Sequence, residues 1–140
     1  MNSNRETLRI WHVDDHADDQ VLFSKAVAKT CPDCALQGVD HPEEALRKLD
    51  VVPSDERPHV IVTDCSFYNM DGPAFIKEVQ GRFPQIRVIS LSGRTDPDTI
   101  NRCYEAGVSA YFVKPVDFHE LVSTVAVVTR FLELSALPQN

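Results

Sequence analysis

Short apolar runs alternate along this chain with longer stretches that have the spacing of amphipathic helices. Residues 7–13 and 59–63 are apolar and β-branched with few polar interruptions, which is typical of buried strands in parallel sheets. Three shorter runs predict further strands, at 35–39, 86–91 and 109–113. The intervening helical patterns lie at about 18–30, 42–50, 73–82, 97–106 and 118–135. This regular alternation predicts an α/β fold, a doubly wound three-layer α/β/α sandwich.

Residues that start and stop helices support these limits. Proline stands at the expected first turn of three helices, as Pro42, Pro73 and Pro97. Asp96 and Asp117 are suited to cap the fourth and fifth helices, and Gly107 is suited to end the fourth. Residues 136–140 predict a frayed end. No linker composition interrupts the chain, which predicts one domain.

Two of the predicted helices differ in how much apolar surface they carry. The apolar stripe of 118–135 is wider than one face packed on a sheet requires, which favours a well-buried final helix with some exposed valines. A surface for a homodimer or another partner is the open alternative. The fourth helix, 97–106, has a thin stripe and is therefore a candidate mobile element.

Composition narrows the functional classes. The chain has 140 residues, of which 43% are apolar and 25% charged, enough for a core without disulfide or metal support. A net charge of −7 argues against direct nucleic-acid binding and against a membrane-surface role. No apolar run approaches the roughly 20 residues of a membrane span. The N-terminus lacks the apolar region of a signal peptide, so we expect a cytoplasmic protein.

The four cysteines are expected to be free thiols in that compartment. Cys31 and Cys34 have CxxC spacing, but they follow the first helix, whereas a redox CxxC usually opens one. We therefore interpret them as a turn with two thiols. Cys65 and Cys103 are single residues to which the sequence assigns no chemistry.

Polar residues stand where the predicted strands end. Asp14, Asp15, Asp64, Ser92 and Lys114 each follow an apolar run. Because the carboxyl ends of parallel strands share one edge of a sheet, we expect these side chains to converge in one cleft. Carboxylates suit Mg2+, and an aspartate can accept a phosphoryl group as an acyl phosphate. The hydroxyl and the ammonium can neutralise phosphoryl oxygens.

The same residues lie in a series of motifs that resembles the receiver domains of two-component response regulators. The matching pieces are WHVDD (11–15), IVTD (61–64), NMDG (69–72), SLSG (90–93) and AYFVKP (110–115). The resemblance implies a flavodoxin-like fold with a five-stranded parallel sheet of order 2-1-3-4-5. It covers residues 7 to about 134 and implies a stand-alone receiver over 1–140 without an output domain.

The resemblance also implies roles around the phosphorylation site. Asp64 matches the phospho-acceptor, and Asp14 and Asp15 match the acidic pair that binds Mg2+. Ser66 matches the residue whose backbone carbonyl joins the metal ligands.

Four further roles concern the response to phosphorylation. Ser92 matches the Thr or Ser that turns toward the phosphoryl oxygens, and Lys114 matches the invariant lysine. The Lys114–Pro115 bond is expected to be cis. Tyr111 matches the aromatic residue whose rotamer reports activation.

The chain also departs from the family pattern. The loop after Asp64 lacks the usual proline and carries Phe67 and Tyr68, which either pack inward or offer a partner surface. Gly93 replaces the usual alanine and leaves its loop freer to move. Asp18 and Asp19 add acidic residues to the same edge, where helix N-termini favour them.

We therefore predict a signalling receiver, not an enzyme acting on another substrate. A sensor histidine kinase or phosphotransfer domain would supply the phosphoryl group, and a downstream protein or a second copy would bind the activated face. A phosphorelay intermediate that passes the group onward is equally compatible with the sequence. A Mg2+-dependent phosphohydrolase is disfavoured because the residue two after Asp64 is Ser66, which cannot act as the acid. A flavodoxin-type cofactor binder is disfavoured by the acidic first loop.

Overall fold

A computed structural model of the protein describes residues 7–135, so the expected frayed end at 136–140 and the first six residues lie outside it. Strands and helices alternate through the described part. Their bounds are β1 Arg9–Val13, α1 Ala17–Thr30, β2 Ala35–Val39, α2 Pro42–Val51, β3 Val60–Thr63, α3 Gly72–Arg82, β4 Arg87–Ser92, α4 Pro97–Ala106, β5 Ala110–Val113 and α5 Phe118–Leu134. A short 3-10 turn at Ser54–Glu56, which the sequence pattern did not indicate, precedes β3.

The five strands form one parallel sheet of order β2-β1-β3-β4-β5, as predicted. In the register, Val13 lies opposite Thr63, Thr63 opposite Ser90, and Ser92 opposite Val113. The strands therefore end near one another along a single edge, and the residues that follow them meet there.

Helices cover both faces of the sheet. One apolar cluster joins the sheet to α2, α3 and α4, and a second joins it to α1 and α5. Buried side chains of the sheet point into both clusters, as Ile61 and Val62 of β3 show. This confirms the three-layer α/β/α sandwich. In residues 7–135, every helix is too short or too polar to cross a bilayer.

The helix boundaries follow the capping residues. Asp96 and Asp117 accept hydrogen bonds from backbone N–H groups in the first turns of α4 and α5, as predicted. Pro42 and Pro97 begin their helices, and Pro73 is the second residue of α3. Gly107 ends α4 with a φ of 118°, a left-handed conformation that favours glycine.

The prediction of free thiols at Cys31 and Cys34 is wrong. Cys31 and Cys34 form a disulfide, with a Cα–Cα distance of 5.4 Å that suits the bond. The Cys34 N–H donates to the Cys31 carbonyl at 3.0 Å, and this turn brings the two side chains together. Sequence spacing alone could not distinguish that geometry from an open turn.

Candidate functional site

The ends of β1, β3 and β5 bring two carboxylates and an ammonium together. Asp14 and Asp64 follow β1 and β3 directly and are almost completely buried, with 1% and 2% of their surface exposed. Their backbone N–H groups donate to neighbouring strands, which extends the sheet ladder by one residue at each position. The chain therefore fixes two negative charges at the sheet edge, where an unpaired charge would be costly.

Lys114, one residue past β5, provides the compensating positive charge. Its Nζ lies 2.9 Å from Asp14 Oδ2, 3.0 Å from Asp64 Oδ2 and 2.6 Å from Asp19 Oδ2. Burial lowers the pKa of Lys114, but the hydrogen bonds to Asp19 and Asp14 outweigh it, so the net pKa is raised. The ammonium is therefore charged, and its three N–H groups face three carboxylates.

Asp19 was noted in the sequence only as an acidic residue near this edge. It lies in the first turn of α1 and makes the shortest of the three contacts to Lys114. Its neighbour Asp18 makes no ion pair or hydrogen bond in the part of the chain the structure describes, so the two adjacent acids have different roles.

His16 is a member of the site that sequence reasoning missed. Its Nδ1 lies 2.9 Å from Asp14 Oδ1, 3.2 Å from Asp15 Oδ1 and 3.6 Å from Asp64 Oδ2. The hydrogen bond with Asp14 is the main reason that the pKa of His16 is raised. Its position directly after the two aspartates was the available signal, because the short loop between β1 and α1 leaves it near both.

Two polar side chains, the partly buried Gln20 and the buried His12, lie against Asp14. Gln20 of α1 donates from Nε2 to the carbonyls of Asp14 and Val39, at 3.0 and 2.9 Å, and so ties the helix to the ends of β1 and β2. His12 lies beneath the cleft with its ring stacked on Phe23. Burial lowers the pKa of His12 to about 4, so this imidazole is neutral near pH 7.

The loop between β3 and α3 covers one side of the cleft. Phe67 packs inward, edge-on to Phe75, whereas Tyr68 is 93% exposed. Of the two alternatives predicted for this pair, Phe67 therefore takes the inward packing, and Tyr68 is the one available to a partner. The Tyr68 N–H donates to Asp15 Oδ2 at 3.1 Å. Gly72 is required for this path, because a Cβ there would lie 2.3 Å from the Cys65 carbonyl oxygen.

Ser66 lies two residues beyond Asp64. Its N–H donates to Asp64 Oδ1 at 3.2 Å, as the Cys65 N–H does at 2.6 Å. These two donors fix the orientation of the Asp64 carboxylate. The predicted metal contact of the Ser66 carbonyl stays a prediction.

Ser92 is buried at the end of β4, and its Oγ accepts from the Arg94 N–H at 3.2 Å. Among the described residues, no hydrogen bond joins Ser92 to Asp64. The Tyr111 hydroxyl donates to the Arg94 carbonyl at 2.7 Å, so it reaches the loop that follows Ser92. Burial raises the pKa of Tyr111, which keeps the hydroxyl a donor. The switch roles of both residues stay predictions.

The prediction of a cis bond before Pro115 is wrong. No peptide bond in the described residues is cis, so the Lys114–Pro115 bond is trans. The trans form is favoured before proline by about 1 kcal/mol at most. With this trans bond, the Lys114 N–H donates to the Ser92 carbonyl at 2.8 Å and Nζ reaches Asp64. The lysine thus enters the cleft without the cis bond.

The carboxylates fit a hard divalent cation. Asp14, Asp15, His16 and Asp64 each offer a ligand atom within 4.8 Å of the others. Asp15 Oδ1 is buried and accepts no hydrogen bond, so it retains its capacity for a ligand. Oxygen ligands from a few carboxylates are what Mg2+ takes in proteins. The site therefore combines carboxylates that could hold a cation with an ammonium that contacts two of them.

Comparison with known families identifies the class. A family model described as response regulator receiver domain matches residues 10–126. The chain belongs to the family of response regulator receiver domains. Receivers are signalling modules of two-component systems, and phosphorylation on an aspartate is general in the family.

Individual relatives agree with this assignment. The DNA-binding transcriptional regulator NtrC of Escherichia coli (strain K12) is 27% identical over 131 residues, which are 94% of this chain and 27% of the relative. The chain thus spans about a quarter of the length of its NtrC relatives. The two-component response regulator ORR3 of Oryza sativa subsp. japonica is 28% identical over 106 residues, 74% of this chain and 77% of the relative.

Solved structures share the fold. The phosphorylated cyanobacterial phytochrome response regulator RcpA has a TM-score of 0.86 at 24% identity, covering 96% of this chain and 100% of that one. The Mn2+-bound form of response regulator Rcp1 has a TM-score of 0.81 at 23% identity, covering 94% and 99%. At these identities the likeness establishes the architecture, a receiver-type sandwich of strand order 2-1-3-4-5.

Proposed function

We propose that this receiver accepts a phosphoryl group on Asp64 from a phosphohistidine of a sensor kinase or phosphotransfer domain, with Mg2+ bound by Asp14, Asp15 and Asp64. The observation that carries the proposal is the buried Asp64 carboxylate, which faces the Lys114 ammonium and adjoins two further aspartates. Of the carboxylates in the cleft, Asp64 is fixed by two backbone N–H donors on Oδ1, which leaves Oδ2 directed at Lys114.

Each residue has a definable part in the transfer. Asp64 Oδ2 attacks the phosphorus in line with the departing imidazole nitrogen, and an acyl phosphate results. Lys114 neutralises charge on the transferred group, because its ammonium already lies 3.0 Å from the attacking oxygen, Asp64 Oδ2. Bound Mg2+ supplies charge neutralisation on the remaining phosphoryl oxygens. The Ser66 backbone carbonyl would add one more oxygen ligand to the metal.

The signal leaves the cleft through the loop after β4. The phosphoryl group draws the Ser92 hydroxyl and Lys114 toward it, which shifts the loop whose Arg94 carbonyl now binds Tyr111. Tyr111 then takes a new rotamer, and the face formed by α4, β5 and α5 changes because α4 moves relative to α5. A downstream protein or a second copy of the chain recognises that face.

Intact mass spectrometry after incubation with acetyl phosphate tests this proposal. Wild-type protein should gain one phosphoryl group only when Mg2+ is present, and Asp64→Asn should gain none. Asp18→Asn is the matched control, because it removes one carboxylate from the same edge without a partner being lost. Full uptake by Asp64→Asn, or equal uptake without a divalent cation, would contradict the proposal.

A further inference from the structure

Two thiols meet beside the acceptor aspartate, although they are far apart in sequence. Cys65 follows Asp64 directly, and Cys103 lies in the middle of α4. Their Sγ atoms are 2.8 Å apart, and both side chains are buried. A disulfide has an S–S length of about 2.05 Å, so the sulfurs need to approach by less than about 1 Å to bond.

We propose that Cys65 and Cys103 form a reversible redox pair, oxidised to a disulfide by small hydroperoxides. The bond would join the residue next to the phospho-acceptor to the helix that carries the signal. No function of the cleft requires either thiol, since neither contributes an oxygen ligand or a phosphoryl contact. The pair is therefore a modification site in addition to the phosphorylation site.

The environment distinguishes the two sulfurs. The pKa of Cys103 is lowered, chiefly by the hydrogen bond with Cys65, so Cys103 is the better nucleophile. Ser90 Oγ lies 3.1 Å from Cys65 Sγ and holds that thiol beside its partner.

The two thiols are oxidised to the disulfide in two steps. The Cys103 thiolate attacks the distal oxygen of a hydroperoxide, the O–O bond breaks, and a sulfenic acid and an alcohol form once the leaving alkoxide takes the thiol proton. The Cys65 thiol then attacks the sulfenic sulfur, an S–S bond forms, and water leaves with the Cys65 proton. Overall, two thiols lose two protons and two electrons to the hydroperoxide, and a dithiol reductant reverses the change.

Burial restricts which oxidants can act. Only Thr99 and Cys103 of α4 are buried, so opening this helix exposes little apolar surface. Helices with few buried contacts open at a low free-energy cost. Small hydroperoxides can reach the pair in such openings, whereas bulky disulfides are excluded. The same openings make the oxidation slower than that of an exposed thiol.

The effect on signalling rests on the proposed function. The Cys65 N–H donates to Asp64 Oδ1 at 2.6 Å, so a covalent link from Cys65 to α4 joins the carboxylate to the helix. A linked α4 cannot move independently of the acceptor strand. Formation of the disulfide itself depends only on the two thiols and not on phosphorylation.

The test uses the full chain with Cys31→Ser and Cys34→Ser, so that Cys65 and Cys103 are the remaining cysteines. Treatment with hydrogen peroxide should remove two hydrogens from the intact mass, and peptide mapping should find Cys65 linked to Cys103. Dithiothreitol should restore the original mass. Separate Cys65→Ala and Cys103→Ala changes in this background should abolish the link, with unchanged circular dichroism showing that they fold.

Two results would overturn the inference. One is that both thiols remain open to alkylation after peroxide treatment and unfolding. The other is that each cysteine gains oxygen separately without a link. Phosphoryl uptake by the reduced protein is measured in parallel, so the two proposals fail separately. A reduced protein that takes up phosphoryl but never forms the link contradicts only the redox pair.

Discussion

Helices α4 and α5 flank the same edge strand but are attached to the protein in different ways. Helix α5 buries Leu121, Val125, Val128, Thr129 and Leu132 against the sheet and α1. Helix α4 buries two residues, Thr99 and Cys103. Helix α5 is held by apolar burial over about three turns, whereas α4 has little apolar contact with the rest of the domain.

Polar contacts take the place of burial on α4, and they come from three successive residues. Arg102 makes a 2.8 Å ion pair with Asp71, Cys103 meets Cys65, and the Tyr104 hydroxyl accepts from the Tyr111 N–H at 3.1 Å. These partners lie on the loop after Asp64 and on β5. A helix held this way is displaced by small shifts at the cleft, whereas a helix held by burial serves as a fixed support.

The largest expected effect is on the stability that α5 gives to the protein. Leu132→Ala should lower the free energy of unfolding by about 3 kcal/mol, because the Leu132 side chain is only 2% exposed and its removal leaves a cavity in the core. Leu134→Ala, at a position that is 70% exposed, should change it by less than about 0.5 kcal/mol. Urea denaturation measures both. Equal losses in the two variants would show that α5 is not held by its buried face.

The next largest effect is expected at the contact between Asp19 of α1 and Lys114. Asp19 belongs to α1, which packs with α5, and its carboxylate occupies one N–H of the Lys114 ammonium. Asp19→Asn should free that N–H and tighten binding of beryllofluoride, a phosphoryl analogue, by about tenfold, equivalent to about 1.4 kcal/mol. Fluorine NMR titration with Mg2+ measures the affinity.

Asp18→Asn is the control for this change, because it removes the same charge from the same helical turn. It should alter beryllofluoride affinity by a much smaller factor. If Asp19→Asn binds no more tightly than Asp18→Asn, the Asp19 carboxylate does not compete for Lys114.

A smaller and more local effect is expected at the start of α4. Asp96 accepts from the Thr99 N–H at 3.0 Å, and hydrogen bonds from Thr99 lower the pKa of Asp96 to about 2. Asp96→Ala should speed hydrogen exchange in the first turns of α4 and leave α5 unchanged. Asp98→Ala, in the same turn, is the matched control. If exchange in α4 is no faster in Asp96→Ala than in the wild type, α4 does not depend on its cap.

The lowered pKa gives this contact a pH dependence of definite sign. The cap contributes stability above the ordinary Asp pKa of 3.8, and the contribution is lost as pH falls through about 2. Exchange in α4 should therefore be insensitive to Asp96 protonation down to about pH 4. If acidification opens α4 while the pH is still above about 4, and Asp96→Asn does not show this opening, the lowered pKa of Asp96 is contradicted.

The smallest effect is expected at the edge of β5. Tyr104→Phe removes the hydroxyl that accepts from the Tyr111 N–H, which should weaken that contact by a few tenths of a kcal/mol and speed exchange of this one amide. Tyr68→Phe, at a 93% exposed position, should leave it unchanged. Unaltered exchange at Tyr111 in Tyr104→Phe would remove one of the three contacts that hold α4.

Hydrophobic periodicity and capping residues predicted the architecture well, because both are local properties. Strand β2 and helix α4 have the predicted bounds, with Asp96 and Gly107 at the ends of α4. The contrast between the two helices was also visible in their apolar stripes. The turn at Ser54–Glu56 was not, since it has no buried residue to mark it.

The site could be predicted only as far as strand ends locate it. Asp14, Asp64 and Lys114 follow directly from sheet topology. The contact of Cys65 with Cys103 depends on how α4 packs, and the sequence spacing of the two cysteines does not predict that packing. The role of Asp19 depends on one lysine rotamer, and the disulfide at Cys31 on the geometry of one turn.

Hydrogen exchange with and without beryllofluoride and Mg2+ tests the central claim, that chemistry at Asp64 moves α4 against a fixed α5. The account predicts altered exchange in Pro97–Ala106 and in Ala110–Val113, with the amides of the buried turns of α5 unchanged, and no effect in Asp64→Asn. If the fluorine signal shows the complex formed while α4 stays unaltered, or if α5 changes as much as α4, the claim is contradicted.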